Sequence, residues 1–159
     1  MRVLLLLAVV WFLSTCRSSA SPELPPDFEW TTWSNAAAGY SLEVPEVYTA
    51  DVEDGGNAVY FRWGRTVPVK VYLTDLESAK GHGLWVDEEP TGTTTLAGLA
   101  ATRYDYTHCD GPFCSRIASF VLEREDRWLA LEFRSHGELD SVNQRIHSSF
   151  ALLEAGDAD

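Results

Sequence analysis

Apolar and polar residues alternate along most of the chain at the two-residue period of half-buried strands. In the run 40–44, Tyr40, Leu42 and Val44 share one face, and Pro45 stops the pattern. The run 58–63 sets Val59, Phe61 and Trp63 against Tyr60 and Arg62. The next places Val67, Val69, Val71 and Leu73 on one face with Lys70 opposite. The runs 99–106 and 115–123 predict a hairpin, and 127–135 predicts a further strand with Leu129, Leu131 and Phe133 facing inward. The run 29–33 is a shorter strand with Trp30 and Trp33 on opposite faces. Turn chemistry separates these runs at 35–39 and at 51–57, where Gly55 and Gly56 follow three acidic residues.

The period changes only at the end. Leu139, Val142, Ile146 and Phe150 recur at helical spacing, and Ser135 with Glu138 offers a capping box ahead of them. The segment 74–92 follows neither period. It reads as a long loop with a helical turn at 75–80. An antiparallel sheet with one apolar face and a C-terminal helix covering it is an α+β fold.

The N-terminus obeys a different logic. Arg2 precedes an apolar run from Val3 to Leu13, far short of the roughly 20 residues that span a bilayer but suited to the apolar region of a secretory signal. Leu13-Ser14-Thr15-Cys16 resembles the lipobox of bacterial lipoproteins, with Thr15 where that family prefers Gly, Ala or Ser. The resemblance implies cleavage before Cys16, a lipid on its thiol and a palmitate-type acyl group on the new amine. A competing exit is Ser18-Ser19-Ala20, which would release a secreted or periplasmic chain after Ala20. Residues 1–15 are thus expected to be signal, 16–27 a Ser- and Pro-rich tether, 28–153 one domain, and 154–159 an acidic tail. Location in a bacterial envelope follows, at the outer membrane if the cell has one.

The cysteine count fits. Three Cys are odd for an exported chain; with Cys16 lipidated, Cys109 and Cys114 remain to pair across Asp110-Gly111-Pro112-Phe113. A disulfide clipping the hairpin is the plain reading. A redox-active pair would need C-x-x-C spacing and a helix N-terminus.

Short motifs extend the picture. Gly39-Tyr40-Ser41-Leu42-Glu43-Val44-Pro45, then 96–101, Trp128-Leu129-Ala130-Leu131 and Ile146-His147-Ser148-Ser149-Phe150 resemble the PsbP-like domains of photosystem II extrinsic subunits, of a nuclear import factor and of many bacterial lipoproteins. The resemblance implies an α/β/α sandwich over about 29–153. It implies no catalytic residue, since that fold serves as a binding or assembly module in unrelated settings.

Composition narrows the function. A formal charge of -12 over 159 residues argues against nucleic acid. It accords with solubility and with cationic partners. The acidic loop at 51–57 departs from the spacing of a calcium site and lacks its bidentate Glu. There is no nucleophile elbow, phosphate loop or dinucleotide fingerprint, and no cofactor or metal is expected. The reading is a non-catalytic binding or assembly lipoprotein with an envelope protein as partner. Its expected contact is the 74–92 loop, with Trp85 as anchor and His82, Asp87 and Glu88 beside it. In the other arrangement Trp85 folds back as a lid. The alternative function is a small envelope hydrolase or metal-binding protein using His82 or His108 with nearby carboxylates. His136 and His147 read as surface residues flanking the helix.

Overall fold

The structure, a computed structural model, describes residues 24–135 and 138–153. The signal, Cys16, most of the tether, His136 and the 154–159 tail lie outside the described residues. Among the described residues, ten strands and two α-helices follow in the order β1 (Trp30–Asn35), β2 (Tyr40–Pro45), β3 (Thr49–Glu53), β4 (Ala58–Trp63), β5 (Thr66–Thr74), α1 (Leu76–Gly81), β6 (Gly92–Leu96), β7 (Leu99–Asp110), β8 (Phe113–Arg124), β9 (Arg127–Arg134), α2 (Ser141–Ser149) and β10 (Ala151–Leu152). An antiparallel sheet of seven strands runs β3-β4-β5-β9-β8-β7-β6, and a small one runs β1-β2-β10. The α+β fold with a packed C-terminal helix is as expected from the sequence.

The large sheet is buried on both faces, which corrects the single apolar face inferred from periodicity. On one face, Val59, Phe61, Val69, Val71, Phe120, Leu129, Leu131 and Phe133 pack against Tyr40, Leu42 and Val44 of β2 and Ile146 and Phe150 of the C-terminal segment. On the other, Ala58, Tyr72, Tyr106, Ile117, Val121 and Ala130 pack against Ala79, Leu84 and Trp85. The segment read as a loop supplies this second cover. Asp75 caps α1 by accepting from the Ser78 amide at 2.8 Å. A short 3-10 turn, Trp85–Asp87, then sets the indole down on the sheet.

Helix α2 is capped by Asp140, whose carboxylate accepts from the Asn143 amide at 2.8 Å. This replaces the expected capping box: the Ser135 hydroxyl instead donates to the Glu138 carbonyl at 3.2 Å. The Glu43 amide donates to Ser149 Oγ at 2.9 Å, and Arg145 pairs with Glu43 at 3.0 Å, fastening α2 to β2. Arg145 also lies 4.2 Å from the Trp30 ring centroid. His147 is half-buried rather than on the surface, its ring centroid 4.4 Å from that of Phe120; burial holds its pKa below the usual imidazole value.

The two sheets are pinned by buried Asn35, which donates to the Gly56 carbonyl at 2.7 Å and accepts from the Ala38 amide at 3.0 Å. Gly56 has φ +99, and a Cβ there would crowd the Asn35 amide at 3.4 Å. Pro68 is tolerated in β5 because the β4–β5 register shifts near it and pairing with β9 begins only at Val69.

Cys109 and Cys114 face each other in the β7–β8 ladder and form a disulfide. Closing so short a loop contributes about 2 kcal/mol on the chain-entropy account.

Candidate functional site

The second face of the sheet is not covered along its whole length. Alternation along β9 puts Trp128, Ala130, Glu132 and Arg134 on it. Trp85 and Leu84 cover the Ala130 end. Towards Glu132 the cover stops, and a pocket of about 220 Å³ opens, lined by Arg65, Lys70, His108, Ser115, Glu132 and Arg134, among others.

Glu132 forms its floor at only 2% exposure. Tyr106 donates its hydroxyl to Glu132 Oε1 at 2.6 Å. Ser119 is the direct cross-strand partner of Glu132, and its buried hydroxyl, like Tyr106, favours the charged carboxylate. Burial pushes the Glu132 pKa up, because the charged form loses its water; Tyr106 and Lys70 oppose that only in part. Burial and the Glu132 charge push the Tyr106 pKa up as well, with Glu88 adding to the effect.

Of the cationic groups around this floor, Lys70 holds its ammonium over the Tyr60 ring, 5.9 Å from the centroid. Lys70 lies opposite Glu132 in the β5–β9 register. Among the described residues, ion pairs join Arg62 to Asp51, Arg103 to Asp105 and Arg145 to Glu43; Arg65, Lys70 and Arg134 form none. Arg65 and His108 are exposed at the rim, while Lys70, Ser115 and Arg134 are half-buried on the walls.

The residues expected from the sequence divide. Trp85 is not an exposed anchor: its ring is 4% exposed and tilts over Tyr104 at 6.4 Å, in the lid arrangement. An indole left in water would forfeit the apolar burial that the Tyr72–Ala130 region of the sheet offers it. His82, Asp87 and Glu88 are exposed, and none of them lines the pocket. His82 instead borders a separate depression with Asp75 and Arg127. His108 does line the pocket with Glu132, but no hydrogen bond joins the two. Among the described residues no cluster of three His, Cys, Asp or Glu side chains could hold a metal.

Because the folded Glu132 keeps its proton to higher pH than the unfolded one, its contribution to stability is full below about pH 4.3. That contribution falls as pH rises through the folded pKa. Glu132→Gln preserves shape and can still accept from Tyr106. It should gain stability relative to the parent as pH is raised from about 4 to 8, seen in urea melts. A pH-independent difference between the two proteins would contradict this.

No protein-family profile matches the chain, and no curated protein does. Solved structures share its architecture, two of them as follows. One, from Bacteroides thetaiotaomicron VPI-5482, aligns over 79% of this chain with a TM-score of 0.55 and 7% identity; the chain spans 49% of that protein's length. The other is the cyanobacterial PsbP, CyanoP, of Synechocystis, aligned over 84% of this chain and 98% of its own, with a TM-score of 0.50 and 11% identity. The fold is PsbP-like. At such identities the likeness concerns architecture, and the PsbP-like fold by itself assigns no ligand. None of the described helices is long and apolar enough to cross a membrane.

Proposed function

We propose that this chain is an extracytoplasmic, non-catalytic binding protein, lipid-anchored at Cys16 to the cell envelope. Residues 16–27 are its tether and 28–153 its PsbP-like domain. The observation that carries the reading is the pocket at the Glu132 end: cationic side chains without ion pairs among the described residues line it together with a buried carboxyl already held by Tyr106. Such an arrangement offers recognition. A hydrolytic site would need a base held on a nucleophile, and His108 is not hydrogen-bonded to Glu132. The disulfide supports an oxidising compartment. The exposed His82, Asp87 and Glu88 give an envelope protein a second contact area.

Cross-linking in intact cells followed by capture from the envelope tests the binding role. A specific partner, lost when Lys70 and Arg134 are both changed to Gln in a folded protein, is expected. Capture unaffected by those changes would overturn the pocket as the site. For the anchor, Cys16→Ser should abolish incorporation of radiolabelled palmitate and move the protein out of the membrane fraction, because the acceptor thiol is gone. Equal label in variant and parent would refute it.

A further inference from the structure

The ligand class follows from the charge and size of this pocket. We infer that it binds a compact oxyanion, a small dicarboxylate or a phosphate group, held between Lys70 and Arg134 with Arg65 at the rim. The assignment rests on the binding reading above and deepens it.

Three observations converge. First, the protein is strongly acidic, at -12 overall, yet three cationic side chains line this one pocket without ion-pair partners. Even with Glu132 ionised, the lining carries three positive charges against one negative. An anion entering it relieves that repulsion. Secondly, guanidinium groups match carboxylate and phosphate oxygens with paired donors. Arg134, half-buried on the wall, loses less side-chain freedom in doing so than a fully exposed arginine would. Thirdly, about 220 Å³, the space of about seven water molecules at roughly 30 Å³ each, is ample for an ion of the size of phosphate or succinate.

The test is calorimetric titration of the full-length protein, purified from membranes in detergent at low ionic strength. Three probes are used: succinate, inorganic phosphate and the uncharged isostere succinamide. At least one anion should bind saturably with a Kd below about 1 mM, at least tenfold more tightly than succinamide, and binding should weaken with added salt. Preference for succinate or for phosphate identifies the carboxylate or the phosphate source. Lys70→Gln and Arg134→Gln should each weaken binding about tenfold or more at an unchanged melting temperature. Arg65→Gln, on the exposed rim, provides a variant whose folding is not at stake and should weaken it less. Absence of saturation by either anion, or full-affinity binding by all three variants, overturns the assignment. If the envelope partner is still captured through the pocket, only the oxyanion falls; if it is not, the binding reading falls with it.

Discussion

Trp85→Ala should melt far below the parent. The indole is 4% exposed and lies with Leu84 and Ala79 on Tyr72, Val121 and Ala130, where it closes the second face of the sheet. Truncating a buried Trp removes its transfer free energy and leaves a cavity that the neighbours fill only in part, about 3–5 kcal/mol together. For a chain of this size each kcal/mol shifts the melting temperature by about 2–4 °C or somewhat more, so a drop on the order of 10 °C is expected in a thermal scan followed by circular dichroism. The change should also loosen residues 76–87, since α1 has six residues and a helix so short has little stability apart from its packing. An unchanged melting temperature would return the ring to solvent and revive an exposed anchor.

Phe133→Ala should be as damaging, from the opposite face. Phe133 lies fully buried on β9, between β5 and β8, with Val69 and Ala118 as its cross-strand neighbours. It meets the Phe120 ring edge-on at 5.8 Å. Strands on both sides hold the backbone in place, so the cavity cannot collapse readily, and a loss of about 3–5 kcal/mol is expected in denaturant melts. A loss below about 1 kcal/mol would mean that this face is not the packed core described above. Comparable losses from Trp85→Ala and Phe133→Ala would establish that both faces of the sheet carry stability.

Much of this architecture was legible in the alternation of apolar residues. The strands β2, β4, β5 and β9 and the Cys109–Cys114 hairpin each carry a clean two-residue period or a turn between apolar runs. What was missed has physical causes. Strand β6 lies at the sheet edge and is built on Thr93, Thr94 and Thr95, so it has no apolar alternation to detect; its two-residue turn at Ala97-Gly98, both with positive φ, was the available signal. Strand β3 was hidden because Asp51, Val52 and Glu53 are mostly exposed at the other edge and resemble a turn. Strand β10 is only two residues long. The buried second face was written in β9, where Trp128-Leu129-Ala130-Leu131 is apolar on both parities, the mark of a strand covered on both sides.

The candidate site was the least legible part. Lys70 and Glu132 are polar residues on the alternate parity of β5 and β9, which on a sheet with one apolar face is the solvent side. Only pairing of the two strands sets Lys70 opposite Glu132, and only β7 and β8 bring Tyr106 and His108 to the same place. Periodicity reports which face of one strand is inward. It carries no information about which strands become neighbours, and a pocket made across four strands depends on that.

The most direct test of the account is a backbone amide chemical-shift titration of the full-length protein with succinate. If the Glu132 end of the sheet is the binding site, saturable shifts should cluster at Lys70, His108, Ser115, Glu132 and Arg134, with residues 87–89 unmoved. Shifts concentrated at 87–89, or scattered without saturation, would contradict it.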